Sequence, residues 1–181
     1  MIKIEELKKY PEDWDKLIDI SLNGTLFHKQ KFLLYHNKKF TENLKIIKIY
    51  KNSKLVCLLD FIQINDKGKK YLKSPYGGSY GSFIFLENPN YSLSNELIDK
   101  FINYLKENNY DEAYLVPAPD FLFENSFNTF EFCLIKKYFK LLYCDISSVC
   151  KIKSLLDYDE KFYSRKTKYD LKKLAEKKFT I

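Results

Sequence analysis

The sequence contains few residues that interrupt helices and strands, form disulfide bonds or coordinate metal ions. Five glycines and five prolines among 181 residues exclude collagen-like and linker-dominated chains. There are four cysteines and two histidines, and the cysteines show neither C-x-x-C nor C-x-x-x-C spacing. The cysteines all occur in apolar surroundings, at Cys57, Cys133, Cys144 and Cys150. We therefore expect reduced thiols that pack as small hydrophobic side chains, and no metal site.

Long apolar runs are also absent. No stretch approaches the roughly 18 apolar residues that cross a bilayer, and the charged N-terminal segment lacks the apolar region of a secretory signal. Apolar residues nevertheless make up 45% of the chain and aromatic residues 17%, which supplies a hydrophobic core and excludes a disordered chain. We expect a globular chain in the cytoplasm, with the inner face of the membrane as the alternative location.

The positive charge is concentrated at one end of the chain. Residues 151–181 contain ten basic and five acidic side chains, so they carry +5 of the formal net charge of +7. A local basic segment favours a local anionic ligand over general nucleic-acid binding, although a solvated helix face would have the same composition. Arg165 is the only arginine in the chain, which suggests a bidentate contact to a phosphate or carboxylate.

Hydrophobic periodicity predicts helices and strands in a definite order. A helix or two short turns is predicted at residues 3–21 and a helix at 29–37. Strands follow at 44–50, 55–64, 70–73 and 82–86, then a helix at 93–107, a strand at 111–116, a helix at 127–138, a strand at 141–152 and a basic helix at 155–178. A meander of antiparallel strands followed by alternating helices and strands predicts an α/β (α+β) fold. Its mixed, mostly antiparallel sheet would be covered by helices.

Four short motifs resemble those of one acyltransferase family. They are residues 23–28 with Phe32 and His36, the Gly/Tyr loop at 74–81, the stretch 137–140 leading to 145–148, and the basic segment 165–168 continuing through 171–177. Together and in this order, they resemble the first half of bacterial Fem-like, GNAT-type acyltransferases. Each motif alone would be too weak to indicate a family.

The resemblance implies a GNAT-like domain at residues 1–152. Residues 153–181 would then be the basic helix that opens a second GNAT-like domain, which the chain does not include. It further implies transfer of an acetyl or aminoacyl group to an amino group of a sugar, peptidoglycan or lipid-linked cell-envelope precursor. The donor would be acetyl-CoA or another acyl donor, including aminoacyl-tRNA, bound mainly outside these residues. The implied partners are the amino-sugar acceptor and a second domain, a partner subunit or a second copy of the chain.

The Gly/Tyr loop is the best candidate for substrate binding. Gly77 and Gly78 allow a ligand to approach backbone N–H groups, while Tyr76 and Tyr80 offer ring faces and hydroxyls. A wide turn that uses its glycines only for geometry is the alternative. The Gln/Arg-x-x-Gly-x-Gly/Ala signature of GNAT pyrophosphate binding is absent, so coenzyme A binding through such a loop is not expected.

Two residues are candidates for proton transfer. His28, which lies within the first motif, could act as the general base for an attacking amine, or it could be a helix-cap histidine. Asp60 lies in an apolar strand, where it is either a buried acid/base group or a residue at a sheet edge with access to water. Arg165 and Lys168 are candidates for binding the phosphates of the acceptor.

Two other functions remain open from the sequence. A degenerate GNAT-like domain could bind an anionic glycan precursor or a partner subunit without catalysis. RNA binding is the third alternative, and it would require the basic segment and the tyrosines to share one surface.

Overall fold

A computed structural model describes residues 1–35, 42–145 and 163–176. The chain divides into two compact units, Met1–Leu141 and Leu142–Ile181. The first unit contains strands β1 (Ile2–Leu7), β2 (Leu44–Lys51), β3 (Lys54–Asp66), β4 (Lys69–Ser74), β5 (Ile84–Phe85) and β6 (Glu112–Leu115) and helices α1 (Trp14–Ile20), α2 (Gln30–Leu33), α3 (Tyr91–Glu107) and α4 (Asn128–Lys136). It also has 3-10 turns at Leu26–His28 and Asp120–Leu122. The second unit contains helix α5 (Arg165–Glu176).

The strands form one six-stranded sheet in the order β1-β2-β3-β4-β6, with β5 also paired to β3. The pairs β1–β2, β2–β3, β3–β4 and β3–β5 are antiparallel, and β4–β6 is parallel. The parallel pair follows from α3, which returns the chain to the same end of the sheet between the two strands. The predicted fold class is therefore confirmed: the sheet is mixed and mostly antiparallel, and helices flank it.

Each face of the sheet packs against its own set of helices. On one face, Leu97, Phe101 and Phe130 of α3 and α4 are buried against the inward residues of β2 and β3. Phe61 and Phe101 are stacked there with ring centroids 5.5 Å apart. On the other face, α1 covers the centre of the sheet with Trp14, which is fully buried. Aromatic side chains thus supply much of the apolar area that stabilises both layers.

Three secondary-structure predictions require correction. The helix predicted at 3–21 is wrong for its first part, because residues 2–7 pair with β2 as a strand and only residues 14–20 are helical. The helix predicted at 29–37 is the four-residue α2, after a 3-10 turn. The strand predicted at 141–152 is wrong for residues 141–145, which are irregular, and its remainder lies outside the described residues.

The other elements agree with the sequence to within a few residues. The predicted basic helix at 155–178 is described only as α5, and residues outside the described ranges are not assigned. Cys57 and Cys133 are free and buried as expected, whereas Cys144 is exposed, and Cys150 lies outside the described residues. Across the described ranges, no helix combines the length and hydropathy needed to span a bilayer.

Candidate functional site

The Gly/Tyr loop is an interruption in the strand that runs beside β3. Lys73 at the end of β4 pairs with Ile62 of β3, and Ile84 of β5 pairs with Leu58 further along the same strand. Residues 75–83 leave the sheet between these two points, so the loop emerges beside the part of β3 that carries Asp60. The structure therefore places this glycine-rich segment next to Asp60, the acidic residue that is buried within the described part of the chain.

The two ends of the loop are fastened to each other and to the end of β6. Ser74 Oγ accepts a hydrogen bond from Ser82 N over 3.0 Å, and the Gly81 N–H donates to Val116 O over 2.8 Å. Val116 N in turn donates to Ser74 O over 3.1 Å. The backbone N–H groups of residues 81 and 82 are thus already used within the protein and cannot cradle a phosphate group.

The body of the loop rests on an aromatic side chain from the N-terminal segment. A Cβ at Gly78 would lie 3.2 Å from Phe27 Cβ, so only a residue without a side chain fits without displacing Phe27. The Tyr80 ring meets the Phe27 ring edge to face at 5.5 Å. Gly77 has a φ of +87°, a left-handed conformation that favours glycine. Packing and backbone geometry thus account for Gly77, Gly78 and Tyr80, and their predicted role in substrate binding stays a prediction.

Asp60 lies in the middle of the sheet and is 7% exposed to solvent. The alternative of a sheet-edge position with access to water is wrong, because β3 is an inner strand and Asp60 is buried. Asp60 pairs with Ile46 of β2 on one side and faces the Gly/Tyr loop between β4 and β5 on the other. Tyr10 donates a hydrogen bond from its hydroxyl to Asp60 Oδ2 over 3.0 Å. Burial raises the pKa of the Asp60 carboxyl to about 7, and the Tyr10 hydrogen bond opposes this rise.

A small pocket reaches Asp60 from the surface. Its polar lining comes from Asp60, Tyr10 and Tyr76, and its apolar lining includes Leu33, Leu44 and Ile62. The pocket has a volume of about 20 Å³, enough for a group the size of one water molecule or one amine. Since a general base must reach its proton and titrate near the working pH, Asp60 satisfies both conditions for proton transfer with a small polar group.

A chain of contacts links Asp60 to His28. The Tyr10 ring packs on Trp14 with centroids 5.1 Å apart, and Trp14 Nε1 donates to the carbonyl oxygen of His28 over 2.8 Å. These contacts hold Tyr10 in place and therefore fix the orientation of the Asp60 carboxyl. Sequence reasoning missed Tyr10, and only the pairing of β1 with β2 brings it to β3.

His28 makes the contacts of a helix cap. Its Nδ1 accepts a hydrogen bond from Thr25 N over 3.0 Å, and the Thr25 side chain accepts one from the Phe27 N–H at 3.3 Å. His28 is 3% exposed, and burial lowers the pKa of its imidazole to about 4. The structure therefore describes a neutral, buried histidine within a capping box, and its predicted catalytic role stays a prediction.

The depressed pKa of His28 predicts an acid-sensitive fold. Its neutral form is favoured on folding, so this stability is fully present above about pH 6.5 and is lost as the pH falls toward 4. A shift of this size corresponds to about 3 kcal/mol. Glutamine is the usual partner in this capping motif, so His28→Gln should keep the cap and lose the titration. Urea unfolding of both proteins at pH 7 and pH 4.5 should show a smaller acid loss in the variant; equal losses would contradict the assignment.

Arg165 and Lys168 lie in the second unit, on α5. Both side chains are exposed. The helix begins after Ser164, whose Oγ accepts a hydrogen bond from Thr167 N over 3.1 Å. Their predicted contact with acceptor phosphates stays a prediction.

The open face of the sheet beside the pocket carries residues that sequence reasoning did not select. Lys69, Tyr71 and Lys73 of β4 and Glu112 and Tyr114 of β6 line, together with Tyr76, an open groove of about 730 Å³. We call it the Tyr/Lys groove. The available signal was Lys69, Tyr71 and Lys73 at alternate positions of β4, but polar residues at alternate positions are typical of any solvent-facing strand.

The chain is similar in structure to several acetyltransferases. An aminoglycoside acetyltransferase from an uncultured soil metagenomic sample, in complex with trehalose, is 15% identical with a TM-score of 0.47, over 83% of this chain and 97% of that one. A ribosomal-protein-alanine N-acetyltransferase from Brucella melitensis biovar Abortus 2308 is 12% identical with a TM-score of 0.44, over 83% and 99%. An aminoglycoside 6'-N-acetyltransferase from Acinetobacter baumannii is 11% identical with a TM-score of 0.46, over 84% and 99%.

No protein-family model and no curated protein sequence matches the chain. These similar structures give no support to the Fem-specific part of the sequence resemblance, and with TM-scores below 0.5 they carry no argument for its GNAT-like part. At these identities and TM-scores they do not establish an activity. The fold class rests on the sheet topology itself, and the site must be interpreted from its own residues.

Proposed function

We propose that the chain is an N-acyltransferase that transfers an acyl group to the amino group of an amino sugar or a related cell-envelope precursor. The observation that carries the proposal is Asp60, a buried carboxyl with a pKa of about 7 in a pocket the size of an amine. The acyl donor in this proposal is acetyl-CoA or another activated acyl group. The cell-envelope acceptor is the part that depends on the sequence resemblance alone.

Asp60 would supply the proton transfer that the reaction needs. An amine is mostly protonated at neutral pH and cannot attack until a base removes a proton. In the proposed step the proton passes from the amine nitrogen to the Asp60 carboxylate. The nitrogen then forms a bond to the acyl carbonyl carbon, the bond to the donor sulfur breaks, and the second proton lost by the nitrogen passes to the departing thiolate. Tyr10 would hold the carboxyl in place throughout.

Two sets of backbone N–H groups are not free to bind the phosphates of a donor. The N–H groups of residues 81 and 82 are used in the loop, and the N-terminus of α3 is capped by Asn90, whose side chain accepts from Leu93 N. This agrees with the absence of the GNAT pyrophosphate signature from the sequence. We therefore assign no residue to donor phosphates.

The proposal is tested by incubating the purified chain with acetyl-CoA and glucosamine and measuring N-acetylglucosamine by mass spectrometry. We expect product that depends on protein concentration, with a rate that rises with pH around an apparent pKa of about 7. A folded chain that binds glucosamine but forms no product with acetyl-CoA or an aminoacyl donor would contradict the proposal. That result would favour the binding-module alternative.

A further inference from the structure

The Tyr/Lys groove and the Asp60 pocket share one wall. Tyr76 lines both of them, so a ligand lying in the groove can reach the pocket past a single side chain. The pocket accommodates only a small group, whereas the groove is more than ten times larger. A molecule whose amine enters the pocket must therefore place the rest of its structure in the groove.

Strand pairing places one lysine of the groove close to Asp60. Lys73 pairs with Ile62, which lies two residues from Asp60 on the same face of β3. Lys73 and Asp60 are thus diagonal neighbours, with Cα atoms about 7–8 Å apart. Lys73 also pairs with Tyr114 of β6, so neither of its two cross-strand neighbours is acidic.

Lys73 is the cation that remains available to a ligand near the pocket. Lys69 forms an ion pair with Glu112 over 2.7 Å, and the Tyr114 hydroxyl donates to the same carboxylate. These contacts compensate the negative charge of the Glu112 carboxylate and lower its pKa. Lys73 is exposed and makes no ion pair within the described part of the chain. An anionic group next to Lys73 would therefore gain a charge-assisted contact without displacing a carboxylate.

Two tyrosine rings complete the groove. Tyr71 and Tyr114 meet edge to face at 5.5 Å, and both are half-buried. Such a pair offers an apolar ring surface with hydroxyl groups at its margin, which suits the flat face of a sugar ring. The groove thus combines a ring surface, Lys73 near the pocket and a connection to a base. Its other lysine without an ion pair among the described residues, Lys67, lies at the opposite end of β4, in the turn after β3.

We propose that the Tyr/Lys groove binds a phosphate-bearing amino sugar, with Lys73 as the residue that selects for the phosphate. The inference rests on the proposed function, since it assigns the groove to the acceptor of that reaction. The amine lies in the Asp60 pocket, the sugar ring lies against Tyr71 and Tyr114, and the phosphate contacts Lys73. A neutral amino sugar lacks the last contact and binds more weakly.

The test compares binding of glucosamine 6-phosphate and glucosamine to the full chain by calorimetric titration, without any donor. We expect glucosamine 6-phosphate to bind at least about tenfold more tightly than glucosamine. The Lys73→Gln substitution should abolish that preference and leave the affinity for glucosamine unchanged. Lys3→Gln is the matched control, because Lys3 is an exposed strand lysine at the other edge of the same sheet. Equal affinities for the two sugars, or the same loss in both variants, would overturn the proposal.

Coenzyme A also carries phosphates, so it forms a separate arm of the titration. Its affinity should be the same in wild-type protein and Lys73→Gln. If Lys73→Gln weakens the binding of coenzyme A and not that of the sugar phosphate, the groove binds the donor and its assignment to the acceptor is overturned. Because binding is measured without turnover, a failed acyl-transfer assay would count against the proposed function, whereas lost sugar-phosphate selectivity would count against the groove.

Discussion

At alkaline pH, the Asp60→Asn variant is expected to have a higher free energy of unfolding than the wild type. The folded-state pKa of about 7 lies well above the ordinary value of 3.8. Such a rise contributes stability that is fully present below about pH 4 and is lost as the pH climbs through 7. Above that pH the buried carboxylate costs about 4 kcal/mol, at roughly 1.4 kcal/mol for each pH unit. Asparagine stays neutral and its carbonyl can still accept the Tyr10 hydrogen bond.

The gain should depend on pH in a defined way. Between pH 5 and pH 8, the difference in free energy of unfolding between Asp60→Asn and wild type should widen by about 2–3 kcal/mol in favour of the variant. Urea titrations at the two pH values measure it. As a control, Asp99→Asn removes an exposed ion pair with Lys137 and should change stability by less than about 1 kcal/mol. A difference for Asp60→Asn that is the same at both pH values would show that its carboxyl is not protonated by burial.

The same substitution should reduce acyl transfer. General-base catalysis contributes a factor of roughly 10²–10⁴, so the turnover of Asp60→Asn should fall by about that amount at pH 7.5. Glu131→Gln is the matched control, because burial also raises the pKa of the Glu131 carboxyl but this residue lies on α4, away from the pocket. Greater stability combined with lower activity is typical of a residue kept for function. Wild-type turnover in Asp60→Asn would remove Asp60 from the mechanism.

Gly81→Ala is expected to destabilise the chain by about 2–4 kcal/mol and to displace the Gly/Tyr loop. A Cβ at this position would overlap Ser74 Oγ and Pro75 N and would lie 2.6 Å from the Ser74 carbonyl carbon. Two of these three atoms belong to the backbone, so no side-chain rotation can relieve the overlap. The Gly81 N–H would also be pushed away from Val116 O, which breaks the fastening between the loop and β6.

Thermal unfolding of Gly81→Ala and Gly78→Ala separates this effect from a general intolerance of the loop. At Gly78 the added methyl group would meet Phe27 Cβ at 3.2 Å, a contact that a small shift can relieve. We therefore expect a loss below about 1 kcal/mol for Gly78→Ala. Similar melting temperatures for Gly81→Ala and wild type would mean that the ends of the loop are not fastened as described.

The sequence by itself determined the elements that depend on local pattern. The strands at 44–51 and 54–66 are runs rich in β-branched and other apolar residues, and α3 has apolar residues at helical spacing. Each element could therefore be predicted without its neighbours. The turn between β3 and β4 was equally clear, because Gly68 has a φ of +79° that glycine adopts readily. Local chemistry also marked the loop at 74–81 as unusual.

Tertiary structure decided the surroundings of the candidate residues. Residues 2–7 include charged side chains typical of a solvent-exposed helix, and they form a strand because they pair with β2. Asp60 could have lain at a sheet edge with access to water, and its pKa is raised because the folded chain buries it. His28 entered as a candidate base, but its Nδ1 accepts from the backbone of Thr25.

Lys73 shows the same division between sequence and structure. In the sequence it is one lysine among many, and nothing distinguishes it from Lys69 four positions earlier. Register places Glu112 opposite Tyr71, within reach of the Lys69 ammonium, and leaves Lys73 opposite Tyr114, close to Asp60. Pairing across strands depends on contacts between residues far apart in the chain, which a local pattern does not contain. The sequence therefore determined the strands and the loop, and their packing decided that Asp60 is buried and that Lys73 lies close to it without an ion pair among the described residues.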